Sequence, residues 1–438
     1  MQWRTKTAAE QGRAIAAGQL DPVVQVEAYL DAAASEPRIY ARLTPDRARA
    51  EAMAARARAK AGLLRGPLDG VALSWKDLFD TAGVGTEAGS RLLAGRVPDA
   101  DAEVLRVATL QGTVCLGKTH MTELAFSGLG VNPMTATPPN VHDPRLAPGG
   151  SSSGAAVSVA MGLAAAAVGS DTGGSVRIPS AWNDLVGLKT TAGRLPLAGT
   201  VPLCPRFDTV GPLARSVEDC ALVLAALEGR AAPDLRDTTL TNARLLVLEG
   251  LPFEGARKAP VQGFEQAVDR LAKAGAHITR KTLPMVDEAL AMSGVLFAPE
   301  AYAQWKDQIE AHPEKMYPVI LERFRTGAIP LATEYITAWQ RLERLRADWL
   351  AATAGYDAVL VPTAPILPPD AERLLTDPAY FASENLLALR NTRIGNNLGL
   401  CVLTLPTGVP ATGISLMAAP MTEDRLLRLG TAAEAALG

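Results

Sequence analysis

Pro148-Gly149-Gly150-Ser151-Ser152-Ser153-Gly154-Ala155 is followed, after one helical and one strand-like stretch, by Gly169-Ser170-Asp171-Thr172-Gly173-Gly174-Ser175-Val176-Arg177-Ile178-Pro179. Between them the spacing predicts a helix over 155–162 and a core strand over 164–168. A helix and a strand of these lengths run out and back, which returns the second segment beside the first. Ser151 and Ser175, 24 positions apart, then face each other. Gly-rich turns let backbone N–H groups approach a ligand with no Cβ in the way. The amides of Thr172, Gly173, Gly174 and Ser175 are therefore candidates to hold an oxyanion. Each such donor, once fixed, contributes about 3–4 kcal/mol to a transition state.

A serine hydroxyl is a weak nucleophile at neutral pH and needs a base. Histidine is the usual one, but none of the four histidines (His120, His142, His277, His312) stands in a telling context. Lysine serves if it is buried and kept neutral. Lys76 ends the apolar run Val71-Ala72-Leu73-Ser74-Trp75, where a surface lysine is less expected. Its neutrality near pH 7 demands a shift of ~3 units, or ~4 kcal/mol, which only burial and hydrogen bonding supply.

Outward from this centre the chain alternates short apolar runs with helical periodicity. Helices are expected over 8–17, 22–34, 47–61, 101–111, 217–227, 261–274, 386–398 and 422–437. A short helix is expected over 121–126. Strands are expected over 71–76, 113–117, 245–248, 278–280, 356–362, 402–405 and 413–416. Residues 128–150 hold five prolines and read as a functional loop. Residues 285–355 are mostly helical and more charged, and 365–377 begins as a Pro-rich loop. The pattern argues for an α/β fold: a large mixed, mostly parallel β-sheet covered by helices on both faces. The expected organisation is one domain over 1–438, with a helical N-terminal region about 1–60 and a helical insertion or cap about 285–355.

Bulk properties exclude other classes. The 438 residues are 48% hydrophobic and 20% charged, which suits a sizeable globular core. The net charge of -3 offers no basic footprint for nucleic acid. Cys115, Cys204, Cys220 and Cys401 form no CxxC pair and read as reduced, buried thiols. No His/Cys/Asp grouping has metal-ligand spacing, so neither metal nor cofactor is expected. The stretch from Met1-Gln2 onward is amphipathic, with no secretory signal. The longest apolar run, near 157–169, is too short to span a bilayer, so the cytoplasm is the expected location.

The two Gly-Ser segments and the Lys76-Asp77 pair resemble the amidase signature family. Further matching motifs run in order along the chain. They are Leu116-Gly117-Lys118-Thr119 with Met121-Thr122-Glu123, then Val186-Gly187-Leu188-Lys189-Thr190. The stretch from Asp208-Thr209-Val210-Gly211-Pro212 to Asp219, and Gly399-Leu400 to Pro406-Thr407-Gly408, complete the series. The resemblance implies a Ser–cisSer–Lys triad: Ser175 as acylated nucleophile, Ser151 as the bridging serine behind a cis peptide, and Lys76 as terminal base. It implies the amidase signature fold, a small-molecule amide as substrate, and homodimerisation. Gly150 and Asn132 are further candidates for substrate contact. Arg393 stands where related amidases often carry small or apolar residues, and is the candidate to mark a polar or anionic substrate.

Plainer readings stand beside these. Arg177 is expected to pair with Asp171, Asp208 either caps a loop or orients the Gly-Ser segments, and Lys118 and Lys189 are expected to be solvated or ion-paired. Gly150-Ser151-Ser152-Ser153-Gly154 formally fits G-x-S-x-G, but a Pro-rich loop precedes it where an elbow nucleophile needs a strand. A phosphate-binding module is disfavoured because no G-x-x-x-x-G-K-[ST] is present. The alternative within the family is a glutaminase-type A subunit of an amidotransferase that needs a partner.

Overall fold

In the computed structural model, residues 3–438 are described, so Met1 and Gln2 of the N-terminal stretch read above lie outside the described residues. The short apolar runs form β1 (Tyr40–Leu43), β2 (Ala72–Lys76), β3 (Val114–Thr119), β4 (Ala166–Ser170), β5 (Val186–Lys189), β6 (Val210–Ala214), β7 (Arg244–Leu248), β8 (His277–Lys281), β9 (Ala358–Pro362), β10 (Cys401–Pro406) and β11 (Gly413–Ala418). All join one sheet in the order β1-β3-β2-β4-β6-β5-β10-β11-β9-β7-β8.

The sheet is mixed, but the expected preponderance of parallel pairing is not what forms. Four ladders are parallel and six antiparallel. Parallel pairing is confined to β3-β2-β4 on one side and β9-β7-β8 on the other. The centre is antiparallel because β5 and β6, which the sequence pattern does not mark as strands, insert there beside the β10–β11 hairpin. Both contain glycine, and β6 also carries Pro212, so neither presents an uninterrupted β-branched run. Strand β1 is likewise unmarked and interrupts the helical N-terminal region.

Two helical layers cover the sheet. Helices Val217–Glu228, Lys258–Lys273 and Glu423–Leu437 pack along one layer, over β5, β6, β9, β10 and β11. Helices Ser153–Ala160 and Arg177–Trp182 touch each other and pack over β2–β6 and β10–β11. Local signals act as expected: the Asp21 carboxylate accepts from Val23 N at 2.8 Å and caps helix Pro22–Ala33. Residues 285–355 hold helices Met285–Ala291, Ser293–Ala311, Pro318–Arg325 and Ala332–Thr353. The helix expected from 386 starts earlier, at Pro378, where Asp377 caps Tyr380 N at 3.0 Å. No described helix is long and apolar enough to cross a membrane. The four cysteines are buried and unpaired.

Candidate active site

Strands β2 and β4 lie side by side and parallel, so Lys76 and Ser170 both stand at carboxyl ends on the same edge of the sheet. Side chains alternate along a strand. Ser74 therefore points the same way as Lys76, and its hydroxyl bonds Ser158 Oγ of helix Ser153–Ala160 at 2.7 Å. Leu73 and Trp75 fill the opposite side, and the whole of β2 is buried. This register carries Lys76 under the Gly-Ser segments.

Lys76 Nζ lies 2.7 Å from Ser151 Oγ and 2.8 Å from Ser170 Oγ. Lys76 and Ser151 are fully buried, while Ser175 retains 4% of its exposure. Burial pushes the Lys76 amine down to about 7, against the upward pull of the Asp171 and Asp208 charges. The Gly150–Ser151 peptide bond is cis. Ser152 N donates to Ser175 O at 3.2 Å, and Ser152 Oγ donates to Ser170 O at 3.2 Å. The two Gly-Ser segments are thus joined directly, as the out-and-back path between them predicts.

Asp171 organises the second segment. Its carboxylate accepts from Gly174 N at 2.9 Å, Val176 N at 3.1 Å, Arg177 Nε at 3.0 Å and Asn396 Nδ2 at 3.0 Å. Burial alone would raise this carboxyl; the Arg177 guanidinium overrides it and holds Asp171 below the ordinary carboxylate range. The expected Arg177–Asp171 pair is present at 2.9 Å and fully buried. Gly174 has φ +137°, and a Cβ there would lie 2.2 Å from Thr392 Oγ1, so only glycine fits.

This geometry corrects the expected oxyanion set. The Gly174 amide is committed to Asp171, whereas the amides of Thr172, Gly173 and Ser175 donate to no group among the described residues. Thr172 Oγ1 donates to Asp208 Oδ1 at 2.5 Å, and Asp208 Oδ2 accepts from Leu203 N and Cys204 N. Asp208 therefore orients the segment and caps a loop at once.

Other expected residues fall differently. Asn132 is buried, donates to Gly89 O and Met121 O, and accepts from Met134 N. Its amide is spent on holding the 128–150 loop and has no donor left for a substrate. Gly150 also serves packing: its N–H donates to Gly128 O, and a Cβ would lie 2.7 Å from the Gly130 backbone. Lys118 is buried and pairs with Asp77 at 3.2 Å. Lys189 is neither solvated nor ion-paired; it is buried and donates to the carbonyls of Thr190 and Leu400.

Beside Ser175 lies a small chamber of about 30 Å³ bounded by Thr172, Gly173, Phe126 and Leu389. It continues past Phe297, Arg323 and Arg393 into a largely apolar vestibule of about 720 Å³. Arg393 thus reaches the site, and a Cβ on Gly173 would meet its Nε at 3.9 Å. Three contributors escape a reading of the sequence. Ser170 lies inside the second Gly-Ser segment, and its place at the end of a strand parallel to β2 is the available signal. Thr392, whose hydroxyl donates to Gly173 O at 2.6 Å, shares a helix with Arg393. Arg323 gives no signal at all.

Comparison with known proteins agrees with this arrangement. The Amidase family model matches residues 25–427. The chain is 37% identical over 415 residues to a 2-amino-5-chloromuconic acid deaminase of Comamonas testosteroni, covering 92% of this chain and 90% of the relative. It is 31% identical over 473 residues to the A component of the glutamyl-tRNA(Gln) amidotransferase of Chloroflexus aurantiacus, covering 98% and 95%. A crystal structure of an amidase superposes with a TM-score of 0.87 at 30% identity, covering 99% of this chain and all of that one (100%). The peptide amidase of Stenotrophomonas maltophilia gives 0.84 at 29% identity, covering 98% and 96%. With the family model spanning nearly the whole chain, this protein belongs to the amidase family.

Proposed function

We propose that this protein hydrolyses a linear carboxamide through an acyl-enzyme on Ser175, with Ser151 and Lys76 as proton relay. The observation that carries the reading is a fully buried lysine, pushed down to about 7, at 2.7 Å from a buried serine hydroxyl. A neutral amine has one lone pair and two N–H groups. It accepts the Ser151 proton and donates to Ser170, whose hydroxyl and carbonyl lie at 2.8 and 3.5 Å. Ser151 Oγ takes the proton of Ser175 as Ser175 Oγ attacks the carbonyl carbon. The free amides of Thr172, Gly173 and Ser175 receive the oxyanion. Collapse breaks the C–N bond, and the relay returns the proton to the departing amine or ammonia. Water, deprotonated by the same relay, then cleaves the ester and releases the acid.

A fluorophosphonate tests this by intact mass. One adduct on wild type, absent in Ser175→Ala and slowed in Lys76→Ala, is expected; equal labelling of all three proteins refutes the assignment. The deaminase relative favours a second reading, in which ammonia leaves an amino-substituted acid rather than a carboxamide. Ammonia release from 2-amino-5-chloromuconic acid, but from no carboxamide in a broad panel, would establish that instead. Release from glutamine only in the presence of a partner would favour the amidotransferase alternative.

A further inference from the structure

Where the small chamber opens into the vestibule, two cations stand without an anion. Arg323 comes from helix Pro318–Arg325 and Arg393 from helix Pro378–Asn397, and both line both spaces. Neither guanidinium forms an ion pair or donates a hydrogen bond among the described residues, and Arg323 Nε is buried with no acceptor. Burial pushes Arg323 down to about 9, reinforced by the charge of Arg393, and burial pushes Arg393 down to about 10. Both stay cationic at neutral pH, so two like charges line the same largely apolar opening.

Aromatic faces hold them there. The Arg323 guanidinium carbon lies 4.5 Å from the Phe126 ring centre and that of Arg393 lies 5.8 Å from the Phe297 ring centre. Such contacts consume none of the guanidinium N–H donors. Nearby, Asn385 lines the vestibule, and its Nδ2 is buried without an acceptor. The unmet groups are all donors, so the missing partner is an acceptor, and the charges make it an anion. Arg177 provides the contrast: buried more deeply than either, it spends its donors on Asp171, Thr392 O and Asn396.

The chamber beside Ser175, at about 30 Å³, is small against the vestibule of about 720 Å³ that it opens into, and Arg323 and Arg393 line both. A substrate whose scissile group sits at Ser175 therefore extends into the vestibule past the two arginines. We infer that Arg323 and Arg393 form a carboxylate-binding subsite, and that the substrate is a short-chain acid whose carboxylate lies a few bonds from the C–N bond cut at Ser175. This rests on the proposed acyl-enzyme reading for the position of the cut, not for the binding of the anion.

The test uses the full chain with succinamate and butanamide, amides of equal chain length with and without a terminal carboxylate, and with succinate as a ligand that is not turned over. Wild type is expected to favour succinamate over butanamide by at least tenfold in kcat/KM. Arg323→Gln and Arg393→Gln should each reduce that ratio at least tenfold, and Arg393→Lys should restore part of it. In Ser175→Ala, which needs no turnover, succinate should raise the melting temperature, and in the Ser175→Ala/Arg393→Gln double variant it should not. Activity on butanamide equal to or above that on succinamate, with no response of Ser175→Ala to succinate, overturns the subsite and leaves the amidase reading standing. Succinate binding that depends on Arg393, without hydrolysis of either amide, supports the subsite and overturns the amidase reading.

Discussion

The pH dependence of Ser175 labelling follows from where Lys76 sits. In the proposed mechanism the base is the neutral amine, so nucleophilicity at Ser175 should be lost as pH falls through the Lys76 pKa and retained above it. With that value near 7, the labelling rate at pH 7 should be roughly half its plateau. At pH 5, two units lower, about 1% of the enzyme carries a neutral amine, so the rate should be ~100-fold below the plateau. Between pH 7 and 9 it should rise only about twofold. An ordinary lysine, ionised to above pH 10, would instead give a tenfold rise per unit across the whole range. A fluorophosphonate suits the assay because fluoride leaves without protonation, so only the base is read. Rates by intact mass from pH 5 to 9 on wild type should show one midpoint near 7. In Lys76→Met the rate should be at least 10³-fold lower, with that midpoint gone. A profile that climbs steadily to pH 9, or one flat from pH 5, would refute the idea that burial tunes Lys76.

Other expectations concern the groups that hold this geometry. Lys76 has a folded pKa below its unfolded value of 10.5, so the cost of burying it neutral is fully present below about pH 7 and fades as pH rises toward 10.5. Lys76→Met should therefore be more stable than wild type at pH 7, and denaturant titrations should show that advantage shrinking by about 2 kcal/mol between pH 7 and 9. Asp171→Asn leaves Arg177 buried and uncompensated and should cost about 3–5 kcal/mol. Because the Asp171 pKa is depressed, its contribution is present above its unfolded value of 3.8 and lost below. Denaturation curves at pH 8 and 5 should therefore show the same wild-type advantage, diminished only below pH 4. Gly174→Ala must displace Thr392 and adopt a left-handed backbone, so both melting temperature and labelling should fall. Gly173→Ala, whose nearest obstacle is 3.7 Å away, should leave the melting temperature within about two degrees of wild type.

Much of the site is legible in the sequence because its geometry is local. Lys76 ends an apolar strand, and the two Gly-Ser segments are separated by one helix and one strand, so a short path brings them together. The misplaced parts fail for identifiable reasons. Gly174 looks like an oxyanion donor because sequence shows that an N–H is available, not that the Asp171 carboxylate turns back to claim it. Asn132 looks free because its partners, Gly89 and Met121, are carbonyls, which carry no side-chain signature. The mostly parallel sheet fails because β5 spans only four residues and β6 is interrupted by Pro212, so neither announces itself although both occupy its centre.

The wall opposite Ser175 is of another kind. Phe126, Phe297, Arg323 and Arg393 lie on four separate stretches of chain, and nothing in the spacing of any one points to the rest. Their meeting is decided by how the helices of 285–355 settle against helix Pro378–Asn397, a matter of packing that no local pattern encodes. This separates the two tasks of the molecule. The proposed chemistry is built on strand ends and tight turns, where a shift of one residue would turn Lys76 to the other face of the sheet. In the proposed subsite, selection among substrates falls to Arg323 and Arg393 on helices outside the sheet, although Thr392 and Asn396 of the same helix as Arg393 also brace the Ser175 segment. An unpaired cation there destabilises the free protein, and a second one beside it more so. A pair of arginines held by aromatic faces at the mouth of the chamber beside Ser175 is therefore best understood through the ligand that completes it.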